Sequence, residues 1–176
     1  THVAQQPATQ RIPLYLAALA STAVELGGEL ADGLMPALWT AERVAKSQVW
    51  ADRGRTKASG LGALDMTLGL PTFIGADVES LREAARQNLG LFTTLPFFQR
   101  LFRASGFEEE AERMEQGQAG PNSLTDRILD AVCLLGSVER CQEQLAAFRG
   151  SGVDMPILWP PLGVESAHTV MQAFHR

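Results

Sequence analysis

Short apolar runs rich in β-branched and aromatic residues alternate along this chain with longer segments of helical spacing. The runs are Ile12–Leu19, Leu34–Trp39, Ala63–Ile74 and Val153–Trp159. Most of the helical segments open on a Ser, Thr or Asp suited to cap their first free N–H groups. Two strands separated by a helix cannot form a tight hairpin. They lie parallel and connect by right-handed crossovers, so both faces of the sheet must be covered. The expected class is therefore α/β with about four parallel strands, and with extra helices inserted before the last one.

The helices follow from their caps. Ser21 or Thr22 opens the first, which carries Gly27-Gly28. Each glycine weakens a helix by about 1 kcal/mol relative to alanine, so the pair points to close packing against a neighbour. Thr40 opens the second, with Glu42 in its first turn, and the basic, Gly-rich stretch 53–62 follows as a loop. Asp77 caps a helix from Val78 to about Leu91; Pro96 starts one that carries Phe97, Phe98 and Phe102 and stops at Gly106. Residues 107–120 read as a solvated acidic helix and loop. Ser123 caps a helix to Leu135, Ser137 one to Arg149, and Glu165–Phe174 forms the last. Residues 1–11, polar and carrying Pro7, read as a lead-in to a single domain over 12–176.

Composition excludes several functions. The chain has 176 residues, 45% of them apolar, with a net charge of −5. A chain of that size can bury a core without a disulfide or metal staple. Its mild acidity makes no electrostatic case for nucleic acid or an anionic membrane. The apolar run from Ile12 ends at Glu25, short of the ~18–20 residues that span a bilayer. No basic segment followed by an apolar one opens the chain as a signal peptide does. Cys133 and Cys141 read as reduced thiols, which favours a cytoplasmic protein, and His2, His168 and His175 do not converge with them into a metal site.

Four segments, in order, resemble one family. Ile12-Pro13-Leu14-Tyr15-Leu16-Ala17-Ala18-Leu19 is similar to the fifth strand, and Glu25–Gly33 to the following helix and the entry to the sixth strand, of luciferase-like monooxygenases. Thr94–Phe102 with Gly106-Phe107 is similar to that family's aromatic helix inserted after strand seven. Leu135–Cys141, continuing through Leu145 and Gly152–Asp154 to Pro156–Leu158, is similar to its approach to strand eight. The family comprises flavin- and F420-dependent (β/α)8-barrel oxidoreductases. The resemblance covers residues 12–160 and implies the C-terminal half of a TIM-type barrel, without strands one to four. It also implies FMN or F420 as cofactor and a small-molecule substrate.

Leu19-Ala20-Ser21-Thr22 joins the end of a strand to the start of a helix, where free N–H groups and the helix dipole favour a phosphate. The resemblance implies that this loop contacts the cofactor phosphate; a plain helix cap is the other reading. Where the family frequently has Gly-Pro, this chain has Ala20-Ser21. Trp39 and Trp159 follow the ends of the sixth and eighth strands, the face at which barrel sites form, and are candidates to line a substrate pocket. Ordinary core packing is the alternative. Asp32, in an Asp-Gly turn, is assigned no catalytic role, and Glu108-Glu109-Glu110 reads as a solvated face. The basic residues Arg43, Lys46, Arg53, Arg55 and Lys57 are offset by Glu42 and Asp52 and read as a weak anion patch. No catalytic residue is assigned, because such cofactors carry most of the chemistry themselves.

Four strands of a barrel leave two open edges and an uncovered inner face, expected to carry residues such as Tyr15, Leu34, Met66 or Ile157. The chain is therefore expected to need its missing N-terminal half, or a second copy of itself, and to be inactive alone. A non-catalytic half-barrel that serves as a binding or assembly module is the competing expectation.

Overall fold

Every strand pairing in the computed structural model is parallel. The structure describes residues 11–175; most of the expected lead-in, with His2 and Pro7, lies outside them. β1 (Tyr15–Leu16) pairs with β2 (Gly33–Leu34), and β2 with β3 (Asp65–Ile74). Along residues 67–71, β3 pairs with β5 (Met155–Trp159), and along 72–74 with β4 (Leu134–Gly136). The change of neighbour falls at Pro71, which has no N–H to give the ladder. Around the sheet stand α1 (Ser21–Leu30), α2 (Ala41–Arg55), α3 (Val78–Leu89), α4 (Pro96–Ala104), α5 (Glu108–Arg113), α6 (Asp126–Val132), α7 (Val138–Gly150) and α8 (Val164–Phe174). The whole is half of a (β/α)8 barrel, with α3 to α6 standing between β3 and the last two strands.

The described strands number five, not four. Leu134-Leu135-Gly136 is a strand where a continuing helix is expected, and the helix before it is shorter and starts later. Its cap is Thr125, whose hydroxyl accepts from Ile128 N–H; Ser123 instead ends a 3-10 turn that Pro121 begins. The ladders are also shorter than their apolar runs. Ile12–Leu19 contributes two ladder residues, and past Leu34 the second run touches β3 through the single bridge of Ala37 with Gly69. Thr40, Asp77 and Ser137 cap α2, α3 and α7 as expected.

Strand parity settles the two faces. Gly27 on α1 comes so close to Leu34 and Leu16 that a Cβ there would meet both side chains, so these leucines point at the helix layer. Met66 pairs in register with Leu34 and shares that face. Leu34 and Met66 therefore lie in the helix-side core, not on the inner face. The inner face is offset by one residue: Tyr15, Gly33 and Asp65 at one end, with Gly69 and Trp159 further along. Tyr15 reaches across the bare backbone of Gly33, and its hydroxyl donates to Asp65 Oδ2 at 2.5 Å, tying β1 to β3. This tie sits at the N-terminal ends of the strands, the face of a barrel that serves stability.

Within the expected solvated segment 107–120, Glu110 is buried. Its carboxylate accepts from the Arg127 guanidinium at 2.9 Å and from the Thr125 hydroxyl at 3.1 Å. Burial raises its pKa, but the bonds from Arg127, its own backbone N–H and Thr125 outweigh that and hold it below the usual carboxylate value. Arg127 also stacks on Phe107, 4.7 Å from the ring centroid. The Glu110–Arg127 pair thus fastens α5 to α6, and so anchors the inserted helices.

Candidate functional site

The chain leaves β1 at Leu16 and starts α1 at Ser21, so the Leu19–Thr22 loop stands at the C-terminal end of the strand. The cap of α1 is Ala20, in extended conformation, and no side chain accepts from the first turn. This corrects the expectation that Ser21 or Thr22 caps the helix: both lie inside it. Val24 N–H is the first in the helix bonded back, to the Ala20 carbonyl. Among the described residues the N–H groups of Ser21, Thr22 and Ala23 have no backbone acceptor. Ser21 is half-buried and Thr22 exposed.

Arg43 reaches this loop from the first turn of α2. Its Nη2 donates to the Leu19 carbonyl at 2.7 Å. The guanidinium lies between two indoles, 5.6 Å from Trp39 and 4.9 Å from Trp50. Arg43 is 7% exposed, its Nε is buried with no acceptor, and no carboxylate among the described residues pairs with it. Burial lowers its pKa from the ordinary arginine value, yet a guanidinium stays charged. Elsewhere in the basic stretch Arg53 and Lys57 pair with Glu25, while Arg55, half-buried, donates to the Ala31 carbonyl and leaves its Nε and Nη1 without acceptors. Sequence reading grouped Arg43 with these residues and missed it. The signal that finds it is its place one turn after the Thr40 cap, on the face of α2 shared with Ser47 and Trp50.

A cavity of about 290 Å³ lies between this loop, α2 and α4. Leu19, Ala20 and Ser21 form one side; Arg43 and Trp50, and on α4 Phe97, Arg100, Leu101 and Ala104, form the others. Phe98 and Phe102 turn the opposite way into the core, while Phe97 stays partly exposed. A larger cavity of about 570 Å³ lies among α7, β5 and the end of α8, on the helix side of the sheet and away from this loop.

The two tryptophans diverge. Trp39 is fully buried, has an indole N–H without an acceptor, and offers no surface to a ligand. It follows Leu38, whose φ of 57° is a left-handed conformation that a bulky side chain adopts only under constraint. That turn carries the chain from the bridge at Ala37 to the cap at Thr40 and sets Trp39 under Arg43. Trp159 is 38% exposed and lies over Gly69 on the inner face. The structure thus brings Leu19–Ser21, Trp39 and Arg43 together and leaves Trp159 apart.

Asp32 sits at the opposite end of the strands. It accepts from Leu14 N–H at 2.7 Å and pairs with Arg11, and these contacts hold its carboxyl below the usual range. It is a structural tie. Among the described residues no three His, Cys, Asp or Glu side chains gather as metal ligands, and no helix is long and apolar enough to cross a membrane.

The fold and the loop at its strand ends define half of a barrel with its inner face open. The luciferase-like monooxygenase family matches over residues 1–155, and the chain belongs to that family. Among solved structures it resembles the coenzyme F420-dependent tetrahydromethanopterin reductase of Methanopyrus kandleri, at 17% identity and TM-score 0.69, over 90% of this chain and 48% of that one. It also resembles an F420-dependent secondary alcohol dehydrogenase solved with an F420-acetone adduct, at 14% identity and TM-score 0.67, over 96% of this chain and 50% of that one. The monooxygenase RslO1 from Streptomyces bottropensis follows at 17% identity and TM-score 0.52, over 90% and 44%. At these identities the likeness is one of fold. The chain spans about half the length of the structures it matches. No curated protein matches the sequence.

Proposed function

We propose that this chain is the C-terminal portion of a flavin- or F420-dependent oxidoreductase acting on a small organic substrate. The observation that carries the reading is the uncapped start of α1 at the end of β1. Three helix N–H groups without backbone acceptors favour a phosphate, and both candidate cofactors carry one. Leu19, Ala20, Ser21 and Thr22 would hold it; the hydroxyls of Ser21 and Thr22 add donors. When bound, the cofactor supplies hydride transfer or flavin-oxygen chemistry. The chain orients it, and the inner face, with Trp159 over Gly69, forms one wall of the substrate pocket and excludes water there.

The other wall must come from elsewhere. β1 lies at one end of the sheet and β4 and β5, both paired with β3, at the other; Ile12, Leu14, Leu26 and Leu30 near β1 and Met155, Leu162, Val164 and Met171 near β5 are exposed. Apolar surface on this scale is unusual for a free monomer. The partner we infer is the N-terminal half of the barrel, since the solved relatives are about twice as long; a second copy is the other candidate. Alone, the chain is expected to be inactive. Titration with FMN and with F420, for the chain alone and for the product of its whole reading frame, tests the reading. Binding of either cofactor supports it. Binding of neither by either protein turns the choice to a non-catalytic assembly module.

A further inference from the structure

We propose that Arg43 is the buried counter-charge of an anion site between the start of α1, α2 and α4. It determines the affinity of the Leu19–Thr22 loop for a phosphate-class group. The inference rests on the reading of that loop as a phosphate anchor and adds a residue from a different helix.

Arg43 is a buried cation with no carboxylate partner among the described residues. Removing a charge from water is costly unless a partner repays it, and half-satisfied buried ions are rare for that reason. The Leu19 carbonyl and two indole faces reduce the cost, but none carries a negative charge. The guanidinium lines the same cavity as Ser21, and its Nε has no acceptor. A dianion in that cavity meets the positive end of α1 on one side and the guanidinium on the other. Arg100, exposed on α4 at the cavity rim, adds a second cation. The bond to Leu19 gives Arg43 a positioning role as well. It ties the end of β1 to α2 and so fixes where the free N–H groups of α1 point.

The test uses inorganic phosphate and FMN as probes. It measures affinity by calorimetry and the phosphate-induced rise in melting temperature for the parent, Arg43→Met, Arg43→Lys, Arg100→Met and Thr22→Val. Expected for Arg43→Met is at least about a tenfold loss of affinity and no phosphate-induced rise. Arg43→Lys, which keeps the charge, recovers much of both, a rescue that a purely structural role does not give. If Arg43→Met does not fold, Arg43→Gln takes its place: a folded Arg43→Gln that responds like the parent overturns the proposal. A parent-like response in a folded Arg43→Met also overturns it. Should Thr22→Val lose affinity in that case, the loop reading stands without Arg43. Failure of the parent itself to bind either probe overturns both.

Discussion

The indole of Trp159 lies so close over Gly69 that a Cβ at position 69 would stand 2.8 Å from its ring. The two residues belong to paired strands, and the ring occupies the space that the missing side chain leaves. Trp159 is thereby held against the inner face rather than swung into solvent. An alanine at 69 must displace the ring. That is cheap, because the obstacle is the end of a side chain on an edge strand, so Gly69→Ala is expected to cost no more than about 1–2 kcal/mol. Its signature is spectroscopic: tryptophan emission shifts to the red. The same shift in a background already carrying Trp159→Phe would refute the relationship.

The α1–α2 pair is built on backbone contact. A Cβ at Gly54 would stand 1.9 Å from the Glu25 carbonyl oxygen, and one at Gly28 would stand 2.2 Å from that of Ala51. Alanine raises helix propensity by about 1 kcal/mol at each site. The clash involves backbone that cannot rotate away, so the helices must separate, at about 3 kcal/mol or more. Gly54→Ala and Gly28→Ala are therefore both destabilising in chemical denaturation. A neutral or stabilising result would show that the two helices do not meet at backbone distance.

The Glu110–Arg127 pair predicts a pH dependence. The Glu110 pKa is lowered in the folded chain, so its contribution is fully present above the ordinary carboxylate value of about 4.3 and fades as pH falls through the lower folded value. Glu110→Gln is expected to melt at a lower temperature than the parent at pH 7. The gap should narrow below pH ~4. Melts between pH 7 and pH 3 check it, and a gap independent of pH would show that the carboxylate charge is not what fastens α5 to α6.

Both thiols are expected to be inert. Cys133 is wholly buried and burial pushes its pKa up; Cys141 is pushed up to about 11, also by burial. At pH 8 neither presents appreciable thiolate. A thiol reagent should label none in the folded chain and two after denaturation; fast labelling of either in the native state contradicts the packing.

Exposed apolar side chains at both ends of the sheet predict association. Ile12 at 70% and Leu14 and Leu30 at 60% exposure lie near β1; Val164 at 79% and Met171 at 65% lie on α8. Separated from any co-purifying fragment, the chain should scatter light as more than a monomer at micromolar concentration and bind a hydrophobic dye. A dye-silent 19.0 kDa monomer would count against an open half-barrel.

Where the chain's own pattern is local and repeated, the fold is legible in it. Thr40, Asp77 and Ser137 mark their helices because a cap bonds within three residues of itself. The alternation of strands and helices implies parallel pairing because no short turn connects the strands. β4 escapes such reading. Val132-Cys133-Leu134-Leu135 continues the apolar spacing of α6, and three residues are too few to show a period of two.

The sequence by itself determined the order of elements, the parallel sheet and the family, since each rests on neighbouring residues or on ordered segments. Tertiary structure alone decided which way the strands face. A strand covered on both sides carries apolar residues at odd and even positions alike, so Leu34 and Met66 show their side only when Gly27 of α1 closes over Leu34. It likewise decided that Arg43 is buried against indoles while Arg53 and Lys57 find a carboxylate. Arg43 stands at helical spacing from Trp50, but it meets Leu19 through folding that brings residues 24 apart together, and no local pattern encodes that meeting.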